Sequence, residues 1–312
     1  MEYNNIGIEI RERAKQFQQK NAIYYKDTKL NFWVGISWSK FGNSIQKLSK
    51  ALLHFGIKAH QNVAIFSENM PNWMVADIAI MSIRAVTVPM YATSSKNEVE
   101  YIINNAEVAL LFVGEQQGYN KALEILKTNT HLKLIVALDK NIEIEKSKNS
   151  MYLNDFIEFE ENETIEVELQ KRYFESKATD LASIIYTSGT TGEPKGVMLD
   201  HTNFLESLKA HDFELKVSDK DRSLSFLPLS HIFERSWVFF CFHRGIEVYF
   251  NQDPKQIAAV LKEVKPTVMC TVPRIFEKIY AAIQDKKKEA SPIKTRLMDW
   301  GLAVGDSYHN IY

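Results

Sequence analysis

From Ser39 onward the spacing of apolar residues switches repeatedly between a helical period and short continuous runs, an alternation that restricts a chain to a parallel sheet with helices on its faces. Residues 39–55 read as a helix stopped by Gly56, which suits a left-handed end. A buried strand is expected over 63–67. Asn72 is expected to cap a helix over 73–84, followed by a strand over 86–91, a helix over 97–106 and a strand over 110–113. A helix within 119–126 and a strand over 134–138 repeat the pattern. Such a run of βα units predicts an α/β fold with a doubly wound sheet.

Between 139 and 179 the periodicity weakens into mixed charge, with Glu158, Glu160, Glu161, Glu163, Glu166 and Glu168 close together. This reads as a solvated connection. The expected organisation is a first α/β subdomain over 1–150, a charged connection over 151–180 and a second α/β subdomain over 181–312. Alternation returns at 181–186 and in strands expected near 223–227, 246–250 and 267–272, implying a second sheet. Residues 291–312 open another apolar-periodic segment containing Ile293, Leu297, Trp300 and Leu302 and stop without a polar tail, so the chain reads as cut short.

The length of 312 residues and a hydrophobic fraction of 45% allow a large core. A formal net charge of -1 provides no global positive field, so nucleic acid is not expected as a partner and any phosphate chemistry must be local. Cys241 and Cys270 stand far apart without metal-ligand spacing, which fits a reducing, cytoplasmic compartment. The apolar run at 237–242 is far too short to span a membrane, which leaves peripheral membrane contact open.

The strongest chemical signal is Tyr186-Thr-Ser-Gly-Thr-Thr-Gly-Glu-Pro-Lys-Gly196, directly after an expected buried strand. Gly189 and Gly192 let backbone N–H groups approach an anion. The hydroxyls of Thr187, Ser188, Thr190 and Thr191 suit phosphate oxygens or Mg²⁺, and Lys195 adds a compact positive charge. Glu193-Pro194 after Gly192 excludes a Walker A loop. The extended character of 197–199 predicts a strand–loop–strand, with the next helix starting near Thr202 or Asn203. A plain Gly/Ser-rich hairpin is the bland alternative. Asp200 and His201 could pass for an acid–base pair, but helix capping by Asp200 or Thr202 is the simpler reading.

In its residue order this loop resembles the phosphate loop of the adenylate-forming (AMP-binding) superfamily, which includes acyl-CoA synthetases, luciferases and peptide-synthetase adenylation domains. Leu227-Pro-Leu-Ser-His-Ile-Phe-Glu-Arg235 is similar to the next core motif, in the form seen in long-chain acyl-CoA synthetases, and Val272-Pro-Arg-Ile-Phe-Glu-Lys278 resembles a signature of that branch. Ser67-Glu-Asn-Met-Pro-Asn-Trp73 sits where such enzymes open an early helix. The resemblance implies an acyl-CoA synthetase-like N-terminal domain, with parallel and mixed sheets flanked by helices and incomplete at its C-terminal side. It also implies ATP-dependent activation of a fatty acid to acyl-AMP, then transfer to coenzyme A. By the same pattern Thr187, Ser188, Gly189, Thr190, Thr191, Gly192 and Lys195 would bind the nucleotide, Thr187 would meet Mg²⁺, and His231 would orient the carboxylate. As an isolated residue His231 could equally start a helix. Arg235 and Arg274 could be surface ion-pair residues, and neither is assigned a catalytic role.

A downstream Tyr-Gly-x-Thr-Glu segment, a ribose-binding aspartate, a hinge and a C-terminal lysine, all typical of the family, are not found here. The expectation is therefore the N-terminal part of a ligase, with negligible acyl-CoA synthesis by these 312 residues alone. A medium-chain or aryl acid ligase, and a non-catalytic nucleotide- or acyl-binding module, are the alternatives.

Overall fold

Folding of the first helix is set by a cap: Asn5 accepts hydrogen bonds from the N–H groups of Gly7 at 2.8 Å and Ile8 at 3.2 Å, so α1 (Ile6–Phe17) starts there. A computed structural model describes residues 3–27, 30–145, 147, 149–160, 162–187 and 193–309. After α1 come β1 (Asn21–Asp27), β2 (Phe32–Ser37) and α2 (Trp38–His54), the last capped by Ser37 and ended before Gly56 at φ +93°. Strand β3 (Asn62–Phe66), α3 (Pro71–Ser82), β4 (Val86–Met90), α4 (Lys96–Asn105), β5 (Leu110–Val113), α5 (Gln116–Leu126) and β6 (Leu134–Ala137) realise the expected βα series. Then follow β7 (Ser150–Tyr152), α6 (Leu153–Ile157), α7 (Glu163–Phe174), β8 (Leu181–Thr187), β9 (Lys195–Asp200) and α8 (His201–Glu214). Strand β10 (Arg222–Ser225), α9 (Ile232–Arg244), β11 (Glu247–Phe250) and α10 (Ile257–Val264) complete the larger of two units, residues 1–269. The smaller unit, residues 270–312, consists in its described part of α11 (Pro273–Lys288) and α12 (Pro292–His309).

The main sheet has the order β7-β6-β5-β3-β4-β8-β9, parallel at every step except the antiparallel β8/β9 pair. Every residue of β4, β5 and β6 is buried, as strands covered on both faces require. On one face α4 and α5 close a core of Phe66, Val88, Ile103, Leu111, Ile135 and their neighbours. Helix α3, buried continuously from Trp73 to Ser82, packs against β3 and β4 and also against β1, which belongs to the second sheet.

That second sheet, β10-β11-β1-β2, corrects the expectation of an independent second subdomain. Strands β8 and β9 extend the first sheet instead, and β10 and β11 pair with a hairpin from the chain's start, Ile23 lying opposite Val248. Periodicity identifies strands but says nothing about which distant strand each will meet. The charged stretch 151–180 likewise contains α6 and α7, with Ile165 and Leu169 buried and Lys50 paired to Glu166 at 3.0 Å. The expected strand over 267–272 is reduced to a single bridge between Val268 and Ser223, because Pro266 supplies no N–H and Pro273 already opens α11. Nor does Asn72 cap α3: Met70 takes that position, Pro71 occupies the first turn, and the Asn72 amide donates to Leu138 O at 2.9 Å.

Candidate active site

Strand β8 runs to Thr187 and β9 returns from Lys195, the two residues facing each other across the antiparallel ladder with both side chains exposed. Both strands of the expected strand–loop–strand are therefore present. Ser188, Gly189, Thr190, Thr191 and Gly192 lie outside the described residues. Gly196 is required by a close approach, since a Cβ there would come within 2.8 Å of Ile184 Cγ2 and 3.2 Å of Tyr186 Cζ. The helix after β9 begins at the opposite end of the ladder, where Asp200 lies opposite Leu181, so its dipole does not aim at the turn. Asp200 caps that helix reciprocally with Asn203, each backbone N–H donating 3.0 Å to the other's side chain. His201 is buried, and burial pushes its imidazole down to about 4. The pair is a cap and a core residue.

His231 is exposed at the N-cap of α9, where its Nδ1 accepts from the Phe233 N–H at 3.2 Å. The turn that carries it is clipped to the end of β3: the Asn69 amide donates to Leu227 O at 2.8 Å, and Leu229 N–H donates to Asn69 Oδ1 at 3.0 Å. Two motifs about 160 positions apart are thus brought together at the carboxyl end of the parallel strands, the edge from which Thr187 also emerges.

Immediately beyond His231, two charged side chains point into the core. Burial pushes the Glu234 carboxyl up to about 8, against the opposing pull of the Ser225 hydroxyl and the Phe226 N–H. Arg235, which in the sequence could be a surface ion-pair residue, has 0% exposure. Its Nε donates to Asp77 Oδ2 at 2.8 Å and its Nη1 to Ser183 Oγ at 2.7 Å, while Nη2 bonds Asp77 Oδ1. Sequence could not locate Arg235 because its acid lies on a different helix. A charged residue within the apolar run of α3, at Asp77, is the signal that a buried cation is needed.

The same sheet edge holds a carboxylate that sequence reading passed over. Glu115, after β5, accepts from Glu68 N–H at 3.0 Å and from Ser67 Oγ at 3.3 Å. Burial first, and the neighbouring Glu68 carboxylate, push its carboxyl up to about 7. Gly114 makes this approach feasible, since a Cβ there would fall 1.9 Å from Ser67 Oγ. Among the described residues no group of three or more His, Cys, Asp or Glu side chains gathers to hold a metal ion. Thr187 offers a single hydroxyl.

A mostly parallel sheet flanked by helices, with an antiparallel pair of strands at one end, defines an α/β class, and comparison with known proteins gives the family. The family model for AMP-binding enzymes matches residues 10–308, and the chain belongs to that family. It is 32% identical over 265 residues to the peroxisomal long chain acyl-CoA synthetase 6 of Arabidopsis thaliana, covering 85% of this chain and 38% of that protein. It is 29% identical to the long-chain-fatty-acid–CoA ligase FadD15 of Mycobacterium bovis, covering 93% of this chain and 47% of the relative. The chain thus spans less than half the length of these relatives. In fold it resembles a putative long-chain-fatty-acid CoA ligase from Rhodopseudomonas palustris, with a TM-score of 0.73 at 19% identity, covering 89% of this chain and 65% of that one. The inhibitor-bound N-terminal domain of FACL13 from Mycobacterium tuberculosis matches with a TM-score of 0.67 at 19% identity, covering 88% and 64%.

Proposed function

We propose that the chain supplies the nucleotide- and acyl-binding part of a long-chain fatty acid–CoA ligase. In the first half-reaction a carboxylate oxygen of the fatty acid attacks the α-phosphorus of ATP, a new P–O bond forms, and pyrophosphate departs with the electrons of the broken bond. In the second, the thiolate of coenzyme A attacks the acyl carbon and AMP leaves. An anion approaching a polyanion requires its repulsion to be neutralised, so a catalyst of this step works chiefly by placing positive charge and N–H donors.

The observation that carries this reading is the exposed pairing of Thr187 with Lys195 on the two strands that flank the Gly/Thr-rich segment 188–192. On this reading Lys195 and the turn bind the triphosphate, Thr187 offers its hydroxyl to Mg²⁺, and His231, held by Asn69 at the same edge, orients the fatty carboxylate. Mg²⁺ would supply charge neutralisation and, with only one hydroxyl from the described residues, would draw its remaining ligands from phosphates and water. No described helix is long and apolar enough to cross a membrane, and we place the protein in the cytoplasm with a fatty acid, ATP and coenzyme A as its partners.

Calorimetric titration of the 312-residue chain with Mg·ATP tests the reading. Lys195→Ala is expected to weaken binding roughly ten- to a hundredfold, the loss of ~1.5–3 kcal/mol of charge-assisted hydrogen bonding. Equal affinity for both proteins removes Lys195 from the site.

A further inference from the structure

The candidate residues sit in different parts of the chain: Thr187 and Lys195 at the facing ends of β8 and β9, and His231 in the turn that opens α9. One group of buried polar side chains joins them. From the first turn of α9 the Arg235 guanidinium reaches Asp77 on α3 through two donors and Ser183 on β8 through a third at 2.7 Å. The Ser183 hydroxyl donates onward to Thr87 O on β4 at 2.8 Å. Arg235 and Asp77 are both 0% exposed, and the guanidinium carbon lies 5.4 to 5.7 Å from the ring centroids of Trp73, Phe204 and Phe239. Ser183 lies on the strand that ends at Thr187, and Arg235 N–H donates to His231 O at 3.2 Å.

We propose that Arg235, braced by Asp77 and Ser183, is a positioning residue that fixes the His231 turn relative to the strand that ends at Thr187. A buried ion pair is a poor source of net stability, since well-packed apolar residues of similar volume serve as well. What it supplies is direction: a rigid planar fork with three fixed donors locks one orientation of α9 against β8, which apolar packing does not. The inference rests on the nucleotide reading of the site for its functional consequence, and on geometry alone for the bracing itself.

Ser183→Ala removes the link from Arg235 to β8, together with the hydroxyl's bond to Thr87 O, and leaves the Arg235–Asp77 pair in place, whereas Asp77→Leu/Arg235→Met replaces the pair by apolar bulk. The readouts are thermal midpoint, Mg·ATP affinity of the 312-residue chain and the NMR signals of the His231 ring across a pH titration. Ile135→Val, a core change on β6, serves as a control of comparable stability loss. Both test variants are expected to shift the His231 ring signals and to weaken Mg·ATP binding about tenfold, whereas Ile135→Val lowers the midpoint and leaves both unchanged. Arg235→Lys, keeping the charge but losing the fork, should fail to restore the ring signals. Unaltered His231 signals in Ser183→Ala and in the double variant, or in Ser183→Ala alone if the double variant does not fold, would overturn the proposal. If the parent chain binds no Mg·ATP, the nucleotide reading falls while the His231 signals still decide the brace.

Discussion

At the scale of single residues, His231 holds two positions in one, a helix cap and a candidate substrate contact, and the two are separable. Removing an N-cap acceptor costs about 1 kcal/mol, and Asn is among the best replacements. His231→Ala is therefore expected to lower stability by about that amount in urea unfolding, while His231→Asn retains it and loses only what the imidazole contributes to fatty acid binding. Full retention of stability in His231→Ala would show the cap to be idle. Glu115 titrates in an informative direction. Its ordinary value is 4.5 and burial raises it to about 7 in the folded chain, so between those values the native state holds a proton that the unfolded state has released. Stability from this group is therefore greatest at or below the lower value, falls as pH rises to about 7 and stays low above it. At ~1.4 kcal/mol per pH unit the upper bound is about 3.5 kcal/mol. Glu115→Gln should stabilise the protein at pH ~8 and have much less effect near pH ~5; equal effects at both would show that Glu115 is not titrating as its surroundings demand.

At the scale of elements, α9 is anchored at both ends by charge. Its last turn carries His243, whose Nδ1 lies 2.6 Å from Glu9 Oε1 on α1 and whose Nε2 lies 2.9 Å from Asp212 Oδ2 on α8. Burial works to lower the imidazole, but the Glu9 and Asp212 carboxylates outweigh burial and nearby Arg13, and the ring is raised above its ordinary 6.5. Protonated, it donates to both carboxylates and joins three helices. The stabilisation is complete below the unfolded value and is lost as pH rises through the folded one. The stability difference between the parent and His243→Gln should accordingly shrink from pH ~6 to ~9, and a pH-independent difference would refute the clamp. Elements of this kind were legible in part. The βα series from β3 to β6 appeared in the sequence to within about three residues because those strands are buried on both faces, α4 and α5 are amphipathic and α3 is a continuous apolar run. Helix α1 and the β1–β2 hairpin were passed over, since β1 shows only a partial burial pattern and takes its second neighbour, β11, from more than 220 positions away.

At the scale of the whole molecule, the two units differ in how much they bury. Helix α11 has no buried residue, and Phe276 and Trp300 are 63% and 65% exposed, whereas Trp38 and Trp73 in the larger unit are fully buried. Local opening free energy follows buried apolar contact. Amide exchange in α11 and α12 is therefore expected to run at least ~100-fold faster than in β3, β4 and β5, and Trp300→Phe should remove most of the acrylamide-quenchable tryptophan fluorescence. Equal protection across both units would contradict the division at Met269.

Short-range patterning was enough to place β3 to β6 and β8, the stop at Gly56 and the cap at Asp200, because each depends on neighbours within a turn or two. Which strand pairs with which, the clip from Asn69 to Leu227 and Leu229, and the burial of Arg235 against Asp77 depend on contacts between residues far apart in the chain. Local spacing does not encode such partners; they are selected when the sheets and α3 pack and every buried charge and N–H must find a mate.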